Sequence, residues 1–178
     1  MLSNPGVKNG ILMGVASIAY SLICYFINPK MMLNGWAFLG YIIIIFFMYR
    51  GPVEARKNGN GILKFGEALK ISFLVYVLGT LISSIFVFLM FNYIDTSLNE
   101  VLREIQIEQT EFMVKLMGGE DQLDLIQDQI EQQDMQMTPS VMVLGYLVNL
   151  IFPGFVMALI IAAITKKTGS GSFEALDD

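Results

Sequence analysis

Four long stretches without Asp, Glu, Lys, Arg or His constrain this chain more than any other feature: residues 10–27, about 31–49, 71–94 and 141–164. Each has the length, roughly 17 to 25 residues, that a hydrocarbon core of about 30 Å demands of a helix. No water reaches backbone groups inside lipid, so segments of this kind must satisfy their hydrogen bonds internally as helices. Composition agrees. Apolar residues make up 54% and charged residues 15%, where a soluble domain carries about a quarter charged residues. The sequence predicts an all-α membrane protein with four transmembrane helices in a single domain. The second crossing is the least secure, because its densest part, "WAFLGYIIIIFFMY", is short and admits a re-entrant segment.

Basic residues lie on alternate sides of the four blocks. Lys8, Arg50, Arg56, Lys57, Lys64, Lys70, Lys166 and Lys167 share one side, while Lys30, Arg103 and Lys115 hold the other. Positive charge in short loops is retained in the cytoplasm, which places both termini and the second connection there. The first block has one positive charge before it and no small-x-small site after it, so it reads as an uncleaved anchor rather than a signal peptide. The single Cys24 lies within that block and has no internal partner for a disulfide.

Between the third and fourth blocks runs an acidic insert, residues 97–137. "SLNE" at its start has the form of a capping box from Ser97 to Glu100. Leu98, Leu102, Ile105, Gln109, Phe112 and Leu116 then step by four and three, as do Leu123, Ile126, Ile130, Gln133 and Met137 after Gly118 and Gly119. The two series are coiled-coil seams, and the glycines admit the positive φ of a reversal. An extracytoplasmic antiparallel helical hairpin is therefore expected. Asp121, Asp124, Asp128 and Glu131 share a face, which is either a solvated surface or an oxygen-rich site for a hard cation. The tail, 168–178, reads as disordered.

Inside the membrane, Gly6, Gly10 and Gly14 repeat at the spacing of small-residue helix packing, with Ser17 and Ser21 continuing that side. Gly79 and Ser83, and Gly154, Ala158 and Ala162, do likewise. The most specific pattern is "GYLVNLIFPG". Pro153 deprives the Asn149 carbonyl of its helical partner, and a freed carbonyl beside an amide near mid-membrane occurs both at transporter sites and at plain kinks. Asn149, Pro153 and Tyr146 are thus a candidate ligand or helix-kink site, to which Tyr20, Tyr76 and Thr80 add hydroxyls. Arg50, Arg56, Lys57, Lys64 and Lys70 are candidate contacts for anionic headgroups or for an acidic partner.

Catalytic chemistry has little to draw on. There is no His, no buried carboxylate, no phosphate loop and no nucleophile elbow. No enzyme activity, cofactor, metal or nucleic-acid partner is expected.

"YR" closing the second block, "NGNGILKFGEALK" opening the third, "NYIDTSLNEVL" leaving it and "LIIAAITKK" ending the fourth resemble the DUF4199 family of small bacterial membrane proteins, frequent in Bacteroidota. The likeness runs from about Lys8 to Lys167; Thr96 stands where the family commonly has proline. The resemblance implies a four-span inner-membrane protein with an acidic helical insert and transfers no catalytic residue. The leading expectation is an accessory or scaffold subunit that engages a partner, or another copy of itself, through its spans and hairpin. The alternative is a small carrier or lipid-binding protein using the Asn149 and Pro153 kink.

Overall fold

Asn4 starts the first helix as its sequence allows: its Oδ1 accepts the Gly6 N–H at 2.9 Å, and Pro5 occupies the first helical position, where a missing N–H costs nothing. The structure is a computed structural model that describes residues 4–33, 38–116 and 138–167. Its helices are α1 (Pro5–Ile27), α2 (Pro29–Leu33), α3 (Gly40–Asn58), α4 (Phe65–Leu89), α5 (Leu98–Leu116), α6 (Pro139–Asn149) and α7 (Val156–Thr165). π-helical turns extend α4 over Met90–Ile94 and join α6 to α7 over Leu150–Phe155.

Three helical stretches are long and apolar enough to cross a membrane: Pro5–Ile27, Phe65–Ile94 and Pro139–Thr165. Large apolar side chains such as Phe26, Ile42, Phe46, Leu144 and Ile164 point outward along them and along α3. That exterior suits lipid and not water. The second block departs from the sequence expectation. The helix that carries it starts at Gly40 and runs on through Arg50, Glu54, Arg56 and Lys57, so its charge-free part, ten residues, spans about 15 Å.

The second arm of the hairpin, its Gly118–Gly119 reversal, the carboxylates from Asp121 to Glu131 and the tail lie outside the described residues. The first arm is α5, and it begins differently from the expected capping box. Asp95 takes an extended conformation that breaks the chain away from α4. Its Oδ1 accepts both the Ser97 N–H at 3.1 Å and the Ser97 hydroxyl at 2.6 Å. The hydroxyl turns its proton to that carboxylate, since a charged acceptor makes the stronger bond, and the Glu100 N–H bonds to the Ser97 carbonyl rather than to the hydroxyl.

α4 is the central element. It packs against α1, α3 and α7 along most of its length, and Met13, Met48, Val75, Tyr76, Ala158 and Ile161 form the core between them. Glycines make the α1–α4 crossing close: a Cβ on Gly10 would sit 2.9 Å from Leu78 Cβ, and one on Gly79 would sit 3.0 Å from the Gly10 carbonyl oxygen. Gly154, Ala158 and Ala162 are likewise buried inside the bundle. The small-residue stripes are used within the chain, where close backbones gain dispersion contacts that lipid cannot supply.

The last span is bent. Phe152 has non-helical backbone angles (φ −139°, ψ 120°) and the Phe152–Pro153 peptide is cis. Below the bend α7 packs against α3 and α4. Above it α6 touches α4 but neither α1 nor α3. One end of the bundle is therefore closed, and the other is parted.

Candidate functional site

The parted end encloses a cavity of about 450 Å³. One wall comes from α1 and α3, the floor from α4, and the other wall from α6. Tyr146 and Asn149, singled out by the kink motif, line it together with Tyr20, Tyr76 and Thr80. Pro153 does not; it lies one turn beyond and acts through the backbone. The carbonyl it releases, that of Asn149, accepts the Tyr76 hydroxyl at 3.2 Å. Gly154 makes room for that ring, since a Cβ there would collide with it.

A matching arrangement occurs on the other flank of α4. Pro52 interrupts α3, and the Met48 carbonyl four residues before it accepts the Ser72 hydroxyl at 3.3 Å. Ser72 and Tyr76 are one turn apart on α4, so one face of the central helix caps two proline-released carbonyls on different neighbours. In lipid an uncapped carbonyl is costly, so these two hydroxyls position α3 and the last span against α4.

Several hydroxyls around the cavity are spent on backbone. Thr80 donates to the Tyr76 carbonyl at 2.6 Å, Ser83 to that of Gly79 at 3.0 Å, and Tyr146 to that of Val77 at 3.0 Å. Asn149 Nδ2 donates to the Gly145 carbonyl at 2.9 Å, and the residue is otherwise exposed. Ser17 and Ser21 on α1, Tyr41 on α3 and Ser84 on α4 also line the cavity, and among the described residues their side chains make no hydrogen bond. Ser17 and Ser21 were legible as a weakly polar side of α1. Tyr41 and Ser84 were not singled out, although serines at adjacent positions 83 and 84 of an otherwise apolar helix are a signal of a polar neighbour.

The five basic residues of the second connection are divided. Arg56 is drawn inward, its Nη1 donating to the Thr165 carbonyl at 3.3 Å, while Arg50, Lys57, Lys64 and Lys70 are exposed. The same end is tied by Leu63 and Lys167, which exchange N–H···O bonds of 2.9 Å. It is tied again by Glu54, which meets Lys8 at 2.6 Å and Asn9 Nδ2 at 2.9 Å. The Lys8 ammonium and then the Asn9 amide hold the Glu54 carboxyl below the usual carboxylate range.

At the opposite end, α5 is moored to α1 and α2. Tyr25 donates to Asp95 at 2.8 Å, and the Ser97 hydroxyl followed by Tyr25 lowers the Asp95 pKa. Lys30 reaches Glu104 at 2.9 Å and Glu108 at 3.2 Å, and those two carboxylates raise its pKa. Leu98, Met90 and Phe91 are buried beneath these contacts beside Met32 and Leu33. Among the described residues no group of three or more Asp, Glu or Cys side chains is placed to hold a metal ion.

A family profile described as "Protein of unknown function (DUF4199)" matches residues 8–167. The chain belongs to the DUF4199 family. No curated protein and no solved structure matches it. For a DUF4199 protein the cavity between α1, α3, α4 and α6 is thus described from this chain alone, and the match runs through every helix that lines it.

Proposed function

We propose that this DUF4199 protein is a non-enzymatic, four-span protein of the bacterial inner membrane that holds a small lipidic ligand in the cavity beneath α6. In this reading α3 is the second crossing, both termini face the cytoplasm, and α5 with the rest of the acidic insert lies outside. The cavity carries the proposal. Its volume falls within the roughly 300 to 1,000 Å³ of sites that enclose small organic ligands. It lies where a bend holds a helix away from its neighbours at the expense of lipid-tight packing. Asn149 adds a side-chain amide to its wall in the middle of a span, where polar groups are costly in lipid.

Extraction from native membranes followed by mass spectrometry of co-purifying lipids tests the reading. A bound species that is lost on Gly145→Leu supports it. Gly145 lines the cavity and a Cβ there meets nothing within 4 Å, so a longer side chain should narrow the cavity. A bound species indifferent to that change would count against the cavity. Orientation is tested separately by single thiols at Lys57 and Thr110 in spheroplasts exposed to a reagent that does not cross lipid. Labelling of the first and not the second would reverse the topology.

The accessory-subunit reading draws on α5, where Phe112, Met113 and Leu116 are exposed beside an acidic face. Deleting residues 106–129 tests it through loss of a co-purifying protein while the spans stay folded.

A further inference from the structure

We infer that the cavity ligand is an uncharged molecule with a planar ring head bearing carbonyl or hydroxyl groups, the chemistry of an isoprenoid quinone or quinol. This rests on the ligand-binding reading above and names the ligand class within it.

Charge narrows the class first. Twenty residues line the cavity and none is Asp, Glu, Lys or Arg. An ionic headgroup there would be stripped of water with no counter-charge, which costs several kcal/mol at least. Phospholipid headgroups are disfavoured on that ground.

The apolar part of the wall narrows it further. Only Ile44, Val87 and Val141 are branched aliphatics, and four tyrosines, Phe88 and three methionines outnumber them. The lipid-facing sides of the same helices hold most of the branched aliphatics, with Ile42, Ile45, Ile85, Leu144, Leu147 and Val148 outward beside Phe26 and Phe46. A saturated acyl chain finds its match outside. Aromatic faces, hydroxyl-bearing rings and thioethers favour a flat, polarisable partner.

Hydrogen bonding supplies the third restriction. Ser17, Ser21, Tyr41 and Ser84 bring unspent hydroxyls from three helices. They are neutral groups that donate to a carbonyl or accept from a hydroxyl with equal ease. A ring carrying either would satisfy them, and a hydrocarbon would leave them unpaired. The volume admits a ring head with a short length of chain. A longer tail would pass into lipid where α6 stands apart from α1 and α3. The inference concerns binding alone and includes no redox step.

The test uses the full chain in phosphatidylcholine nanodiscs and three probes in equilibrium dialysis: a 1,4-naphthoquinone with one isoprene unit, dioctanoylglycerol, and dioctanoyl phosphatidylglycerol. The naphthoquinone should bind saturably and more tightly than the other two. Gly145→Leu or Ser84→Leu should weaken it tenfold or more, and Tyr41→Phe several-fold, with melting temperature unchanged. Tighter or equal binding of either acyl lipid, lost on Gly145→Leu, would overturn the ring-head inference and leave the cavity's role standing. Naphthoquinone binding indifferent to all three substitutions would overturn it as well. If no probe binds and protein from native membranes carries no lipidic species, the ligand-binding reading fails too.

Discussion

The Tyr76 hydroxyl on α4 donates to the Asn149 carbonyl at 3.2 Å, the carbonyl that Pro153 leaves without its helical partner. The bond ties the bent part of the last span to α4. Tyr76→Phe keeps the ring and removes the donor, which should destabilise the protein by about 1 to 3 kcal/mol as an unsatisfied buried carbonyl does. Denaturant unfolding in mixed micelles measures it. Ser72→Ala, which removes the longer bond to Met48, should cost less; equal stability of Tyr76→Phe and wild type would refute the capping role.

Gly154 and Gly145 stand nine residues apart on the same span and should respond oppositely to alanine. At 154 the new methyl strikes the Tyr76 ring and lies 2.8 Å from the Asn149 carbonyl. Overpacking of that kind costs about 1 to 3 kcal/mol. At 145 it meets open space, so Gly145→Ala should be neutral or slightly stabilising through helix propensity. Thermal unfolding of both variants decides; a comparable loss at 145 would show that α6 is packed against something the cavity does not reveal.

Glu54 should lend the end of the bundle that carries Lys8 an acid-sensitive latch. Lys8 and Asn9 lower its folded-state pKa, so the contribution is fully present above the ordinary carboxylate value, about 4.3, and is lost as pH falls through the lowered one. Lys8 is 42% exposed, which limits the effect to about 1 kcal/mol or less. The melting temperature of wild type should fall more steeply below pH 4 than that of Glu54→Gln. Parallel curves would mean that the pair contributes nothing.

α5 should loosen without the bundle unfolding. Its moorings to Lys30 are exposed and screened by salt, whereas Leu98 beneath is fully buried. Lys30→Met, or high salt, should speed amide exchange in the first turns of α5 and leave the midpoint of global unfolding in place. Leu98→Ala should do both, lowering global stability as well. Unchanged exchange in Lys30→Met would assign the docking to the buried apolar contacts and the Tyr25–Asp95 bond.

Much of this was legible from residue order because lipid is an unforgiving solvent. Uncharged stretches of about 20 residues have few structures open to them, and the stripes at Gly10 and Gly154 already marked the sides that meet protein. The kink at Pro153 and the residues Tyr146 and Asn149 were visible for the same local reason: proline removes a bond wherever it sits. Ser97 does precede the first turn of α5, but its hydroxyl bonds to Asp95, a partner before the helix that helical periodicity does not encode.

What the sequence by itself determined is membership in DUF4199 and the helical, membrane-embedded character of the chain, since both follow from patterns read along one dimension. Tertiary structure alone decided that Ser72 and Tyr76 cap carbonyls on two different neighbours, and that α3 carries its charges within the helix. It also decided that hydroxyls from positions 17, 41 and 84 converge on one cavity. The caps and the cavity depend on how α1, α3 and α6 are set against α4, and that is fixed by packing between surfaces far apart in the chain.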